Sequence, residues 1–158
     1  MEGTTWPLRL AGGCHCGALR YALTQPPLFV MACHCTDCRQ MTSSAFSIGM
    51  PVLASGFSFS GDTKAYARPA DSGNESCAHR CVNCGGWTHT TSSGRPDIVV
   101  VRPVTLDKSD WVRPIAQIFT RSSLSWTKLS VPLSYETGFT DSTALVTAFS
   151  GSGITPRG

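Results

Sequence analysis

The motif Cys14-His15-Cys16 opens a pattern of thiols that continues with Cys33-His34-Cys35-Thr36-Asp37-Cys38 and Cys81-Val82-Asn83-Cys84. On a strand, Cys-x-Cys presents two sulfurs on one face, and Cys-x-x-Cys does the same from a turn. Two such pairs from distant segments complete a tetrahedral zinc site and attach the first strand to a later hairpin. The first and third motifs therefore predict a closed zinc site, formed by Cys14, Cys16, Cys81 and Cys84.

The middle motif supplies three further thiols, the trio of Cys33, Cys35 and Cys38. These could surround a second ion on three sides and leave its fourth position free. Structural zinc is normally closed by four protein ligands, whereas catalytic zinc keeps one place for water or substrate. Three thiolates make zinc a modest Lewis acid that suits the binding and deprotonation of another thiol. The trio therefore predicts an enzyme with carbon–sulfur chemistry.

The eighth cysteine, Cys77, lies outside these spacings, four residues before Cys81. It could act as the fourth ligand of the trio, or it could be a free or buried thiol. With a fourth thiol the second site would be structural. The enzyme hypothesis therefore depends on where Cys77 lies.

The composition indicates a single globular domain over residues 1–158, with 41% hydrophobic and 15% charged residues. The net charge of +3 is small and the basic residues are scattered, so neither nucleic-acid nor membrane binding is expected. Neither a signal peptide nor a membrane span is recognisable in the sequence. Clustered cysteines in a reducing compartment favour metal binding over disulfides, so we expect a soluble, cytoplasmic metalloprotein.

Alternating apolar residues predict an all-β fold. The alternation covers residues 19–23, 46–50, 57–59 and 87–89, and Ile98–Val101 is a β-branched run typical of a buried strand. Frequent glycine and proline residues suit short strands joined by turns.

Two short helical turns and the tail complete the secondary-structure prediction. We expect one turn over residues 37–41 and a second around residues 115–119. The tail, residues 138–158, is expected to be partly disordered. Within it, the apolar patch over residues 144–149 could add an edge strand or fray, and disorder is predicted from residue 151.

The three thiol motifs resemble the glutathione-dependent formaldehyde-activating enzyme family, also called the GFA or CENP-V family. The resemblance covers about residues 10–135 and rests on residues 13–21, 33–39 and 81–85. Further similarities lie at Thr105-Leu106-Asp107, Pro114 and Trp126. The resemblance implies a zinc-stabilised β-tent, similar to the Mss4-like architecture.

The resemblance also implies a division of labour between two zinc ions. A structural zinc would be held by Cys14, Cys16, Cys81 and Cys84, and a catalytic zinc by Cys33, Cys35 and Cys38. The implied activity is the condensation of glutathione with formaldehyde to S-(hydroxymethyl)glutathione, classed as a carbon–sulfur lyase in the reverse sense. The implied partner is glutathione or a glutathione adduct.

Two residues near the motifs are candidates for substrate binding. Arg39 could hold a substrate carboxylate or simply offset the charge of three thiolates. Trp126 could form a wall of the pocket or lie in the core or at its rim.

Two alternative functions stay open at this level. The first is a carbon–sulfur lyase that acts on a larger thioether or a specialised-metabolite conjugate, because nothing in the sequence specifies a one-carbon substrate. The second is a zinc-stabilised binding module without catalytic activity.

Overall fold

The computed structural model describes residues 5–156, which form eleven β-strands and two α-helices. The first strands are β1 (Leu10–Gly13), β2 (Arg20–Leu23), β3 (Met31–Cys33), β4 (Ser47–Leu53), β5 (Phe57–Ser60) and β6 (Thr63–Pro69). The later ones are β7 (Glu75–Cys81), β8 (Trp87–Ser92), β9 (Ile98–Val101), β10 (Ala116–Ile118) and β11 (Leu133–Ser134). The helices are α1 (Thr36–Thr42) and α2 (Thr143–Ser150). The predicted all-β fold is therefore confirmed.

The strands form two sheets. The smaller has the order β1-β2-β5, and the larger has the order β11-β10-β3-β4-β9-β8-β7-β6. The main core joins Tyr21 and Leu23 of the small sheet to Met50, Val52 and Val101 of the large one. Tyr21, Leu23 and Met50, three of the apolar residues that alternate along the sequence, thus meet between the sheets, whereas Phe59 is exposed.

Two side-chain contacts tie the first hairpin to the loop that follows β9. The Tyr21 hydroxyl lies 2.9 Å from Thr105 Oγ1, and Arg20 forms a two-pronged ion pair with Asp107. Gly12 lies beside them, where a Cβ would come within 2.5 Å of the Tyr21 hydroxyl oxygen. A close approach of this kind requires glycine. The family-like residues Thr105 and Asp107 therefore have a structural role, because they hold the first hairpin through Tyr21 and Arg20.

The two predicted helical turns have opposite outcomes. The turn over residues 37–41 is confirmed as α1, whose first turn is capped by Cys35, with Sγ accepting from the Cys38 amide at 3.3 Å. The prediction of a helical turn around residues 115–119 is wrong, because this segment contains β10, which pairs in parallel with β3. Ala116 and Ile118 are both buried on one face, so pairing in the sheet decides the conformation of this short segment.

The tail also differs from its prediction. The patch over residues 144–149 forms α2 instead of an edge strand, and it buries Leu145 and Phe149, four residues apart, in the main core. Asp141 lies two residues before this helix and accepts from the Thr143 amide at 2.9 Å. Of the segment predicted to be disordered from residue 151, Pro156 is buried, and residues 157 and 158 lie outside the described residues.

Neither helix in the described part of the chain has the length and apolar character that would be needed to span a bilayer.

The substitution Leu145→Ala should lower the free energy of unfolding by about 2 to 5 kcal/mol, because it opens a cavity under α2. The measurement is urea denaturation at equal metal loading. The exposed residue Thr147 on the same helix provides the control, since Thr147→Ala should change stability by no more than about 0.5 kcal/mol. Equal effects of the two substitutions would show that α2 does not pack on the core.

Candidate functional site

The first and third motifs bring four thiols together at one end of the two sheets. The Sγ atoms of Cys14 and Cys16 are 3.5 Å apart, and those of Cys16 and Cys81 are 3.7 Å apart. With Cys84, all four sulfurs lie within 4.8 Å of one another. A tetrahedral ion with Zn–S bonds of about 2.3 Å has sulfurs about 3.8 Å apart. The cluster therefore fits a four-coordinate zinc ion.

Backbone groups hold this four-thiol cluster in place. The Leu19 amide donates to Cys14 Sγ at 3.2 Å, and Gly85 makes the tight turn after Cys84 with a positive φ of 73°. Burial raises the pKa of Cys14, but hydrogen bonds from the Leu19 amide and from Cys16 outweigh burial and lower the pKa to about 6. For Cys16, the Ala18 amide lowers the pKa, but the contacts with Cys14 and the other thiols outweigh it and raise the pKa to about 11. The cluster alone therefore favours the thiolate of Cys14, and the four-thiolate state depends on a bound metal ion.

The trio forms a second, separate cluster. Cys33 ends β3, Cys35 caps α1 and Cys38 lies in the first turn of the helix. Their sulfurs lie within 4.8 Å of one another, with Cys33 and Cys38 buried. The neighbouring thiols of Cys33 and Cys35 lower the pKa of Cys38, whereas the pKa of Cys33 is raised by Cys35 and Cys38. Without a cation only one thiol ionises readily, so three thiolates here need a metal ion.

Cys77 lies away from both clusters. It lies within β7, in register with Ala67 on β6 and Thr91 on β8. Among the described residues, the second group of metal-ligating side chains consists of the trio alone. The trio therefore offers three protein ligands and not four.

Arg102 is a buried cation whose charge interacts with the trio, and none of the cysteine motifs pointed to it. Its guanidinium donates to Ser47 Oγ and Ile48 O at 3.3 Å and to Thr90 Oγ1 at 2.9 Å. Burial lowers its pKa to about 10, against the opposite effect of the Cys38 and Cys33 thiolates. A charged residue directly after the apolar run Ile98–Val101 was the available signal.

Arg39 and Trp126 occupy different surroundings. Arg39 lies half-buried on α1, and its Nε has no hydrogen-bond partner among the described residues. Trp126 lies in a loop and is 73% exposed. The structure thus keeps Arg39 on the helix that carries Cys38, and it leaves Trp126 outside the main core.

A cleft of about 500 Å³ lies between the end of α1 and the turn that contains Cys84. Two guanidiniums line it, and both lie over the Trp87 ring, with Arg102 Cζ at 3.8 Å and Arg80 Cζ at 5.2 Å from the ring centroid. Ser47 lies in the wall of the cleft and is in register with Cys33 of the trio. The cleft is therefore cationic and adjoins the trio.

His34, between two thiols of the trio, points away from the sulfurs. It is fully buried, and its Nε2 lies 3.1 Å from Gln117 Oε1 of β10. Burial lowers its pKa, and because Gln117 Oε1 can only accept, Nε2 donates in this contact. His34 thereby fixes the end of β3 against β10.

The substitution Cys77→Ser should leave the zinc content of the purified protein unchanged, because this thiol belongs to neither cluster. Metal content by elemental analysis is the measurement, with Cys35→Ser as the comparison that should lose about one ion per chain. A loss of metal from the Cys77 variant would place this thiol among the ligands.

The substitution Arg102→Met should weaken zinc binding at the trio by about 10- to 100-fold, because the negative thiolates lose their buried counter-charge. Competition with a chromophoric chelator measures this affinity. Arg39→Met is the control and should have a smaller effect. If Arg39→Met caused the larger loss of affinity, Arg39 on α1 would be the main counter-charge of the trio instead of Arg102.

A family of known proteins matches most of the chain. Residues 9–122 match the family described as glutathione-dependent formaldehyde-activating enzyme, abbreviated GFA. A search of curated proteins finds no significant match.

A solved structure supports the fold. The crystal structure of a Rhodobacter sphaeroides protein, a structural genomics target, superposes with a TM-score of 0.50 at 22% sequence identity. The match covers 66% of this chain and 91% of that chain, and at this identity it bears on the fold alone. Because the family match spans more than half of the sequence and includes both thiol clusters, the chain belongs to the glutathione-dependent formaldehyde-activating enzyme family, with its all-β, Mss4-like fold.

Proposed function

We propose that the protein is a zinc-dependent carbon–sulfur lyase that joins the thiol of glutathione to an aldehyde and cleaves the same bond in reverse. Family membership supports a glutathione-related, formaldehyde-activating role. The observation that carries the finer proposal is a cluster of three thiols, with no fourth ligand among the described residues, next to a cationic cleft.

The cleft suits glutathione in size and charge. Its volume of about 500 Å³ lies within the range of about 300 to 1,000 Å³ that is usual for small-molecule sites. Glutathione carries two carboxylates and one ammonium group near neutral pH, so its net charge is negative. The guanidiniums of Arg80 and Arg102 supply the complementary charge.

Arg80 is the better placed of the two guanidiniums for a substrate carboxylate. It donates to Gly85 O at 3.2 Å and to Met41 O at 3.0 Å, so it bridges the turn of the four-thiol cluster and the end of α1. Two contacts leave several of its five N–H donors for a ligand. Arg102, by contrast, already donates to Ser47, Ile48 and Thr90, and its charge interacts with Cys38 and Cys33 of the trio.

The residues around the trio prepare it for thiol chemistry. A zinc ion bound by Cys33, Cys35 and Cys38 would supply Lewis acidity that lowers the pKa of a substrate thiol. Ser47 accepts from Arg102 at 3.3 Å and is in register with Cys33, so it links the buried guanidinium to the pair of strands that carries this ligand. The Trp87 ring covers the guanidinium of Arg102 and keeps water from that side, which strengthens the charge interactions beside the trio.

The bond that forms joins the glutathione sulfur to the aldehyde carbon. The carbonyl π electrons move to oxygen, which takes up a proton equivalent to the one lost by the thiol. No oxidant or reductant is needed, and the reverse reaction returns the same proton as the carbon–sulfur bond breaks. The cleft has only to hold the thiol and the aldehyde close together, which accelerates a reaction between two molecules.

The substitution Cys38→Ser tests the proposal. It should remove about one metal ion per chain and abolish the condensation of glutathione with formaldehyde above the spontaneous rate, with the fold retained. Proton NMR of adduct formation and circular dichroism are the measurements, and Cys77→Ser is the matched control. Undiminished turnover by the Cys38 variant would refute the role of the trio.

A further inference from the structure

A second cavity adjoins the trio and has a different character. It has a volume of about 170 Å³, and its surface is mainly apolar, with Met31, Pro51, Val100 and Phe139 among its walls. Arg95 and several serine and threonine residues complete the lining. Met31 and Phe139 also pack against the cluster of Cys33, Cys38 and Ile118. Two walls of this apolar pocket are therefore in contact with the site where the proposed reaction takes place.

The sheet explains why the apolar pocket and the trio share a face. Met31 and Cys33 are two residues apart on β3, so their side chains project to the same side. Their neighbours on β4 are Gly49 and Ser47. Pro51, the next residue of β4 on this side, is in register with Val100. One face of the large sheet thus runs from the trio into the apolar pocket.

Gly49 marks the junction between the apolar pocket and the cationic cleft. A Cβ at this position would lie 3.0 Å from Val100 Cγ1, 3.7 Å from Met31 Cε and 3.6 Å from Arg102 Nη1. The first two atoms belong to walls of the apolar pocket, and the third belongs to a wall of the cleft. Because Gly49 has no side chain, these three side chains pack directly against its backbone, and the walls of the two cavities meet there.

Two walls of the apolar pocket, Phe139 and Met31, differ in flexibility. Phe139 packs edge-on against Phe29, with ring centroids 5.7 Å apart. Met31 provides an unbranched thioether, which adjusts to the shape of a neighbouring group.

The volume indicates what the apolar pocket can hold. An apolar protein cavity of about 150 Å³ binds benzene, so about 170 Å³ accommodates a group of that size. Formaldehyde has a single carbon and would leave this space empty. A ligand that fills it gains the free energy of burying apolar surface.

We infer that the electrophile is an aldehyde with a benzene-sized aromatic group, which occupies the apolar pocket while the carbonyl carbon faces the trio and glutathione lies in the cleft. This inference rests on the proposed function and names its substrate class. The reaction is the same addition, in which a carbon–sulfur bond forms, the carbonyl π bond opens and the proton from the thiol ends on oxygen.

The first test compares kcat/KM of the zinc-loaded protein for benzaldehyde and formaldehyde, each with glutathione, followed by NMR. The expected result is a higher kcat/KM for benzaldehyde. Turnover of formaldehyde with no preference for benzaldehyde would overturn the inference and leave the proposed function intact. Absence of turnover with both aldehydes, in protein that retains its metal, would overturn the proposed function itself.

Variants of the pocket walls provide the second test. Val100→Phe should lower the ratio of kcat/KM for benzaldehyde to that for formaldehyde by at least about tenfold, since small changes in an apolar pocket have effects of this size. Phe139→Ala enlarges the pocket and should raise the ratio for 2-naphthaldehyde to benzaldehyde. Leu53→Phe, at an exposed position of β4, is the control and should change neither ratio.

The use of ratios keeps the second test informative if a variant is less stable. A general loss of structure lowers kcat/KM for all aldehydes together, whereas a change in the pocket moves them apart. Equal losses for all three aldehydes in both pocket variants would contradict the inference.

Discussion

The meeting of Cys14 and Cys16 with Cys81 and Cys84 is the constraint on which the rest of the structure depends. Cys16 and Cys81 are 65 residues apart in sequence, and their sulfurs lie 3.7 Å apart. Closing so long a loop costs only slightly more than closing a short one, because the entropy of closure grows with the logarithm of its length. The cluster holds the β1–β2 hairpin against the β7–β8 hairpin, and the cationic cleft forms beside the turn that contains Cys84.

The second organising interaction is electrostatic. Three thiols within 4.8 Å of one another resist ionisation together, and the opposite pKa shifts of Cys33 and Cys38 result from this competition. A buried guanidinium reduces the cost of negative charge at such a site, but burying it also has a desolvation cost. Hydrogen bonds to Ser47, Ile48 and Thr90, and the face of Trp87, offset that cost for Arg102. The trio and its counter-charge are thus parts of one network.

The surroundings of the trio divide by polarity. On one side Ser47 leads to a cleft that carries two guanidiniums, and on the other Met31 and Phe139 lead to an apolar pocket. Such a division suits a reaction between an anionic, water-soluble thiol and an apolar electrophile. The thiol then binds in the cationic cleft and the electrophile in the apolar pocket, and both lie next to the same three sulfurs.

The sequence by itself determined the thiol clusters, the all-β class, the strands with clear alternation and α1, because these depend on spacing and local period. It could not decide short segments without a strong period, so 115–119 became β10 beside β3 and 144–149 became α2 on the core. Only the tertiary structure separated Cys77 from the trio and placed Arg102 against it. The physical reason is that burial, counter-charge and cavities arise between segments that are distant in sequence, and no local pattern encodes those distances.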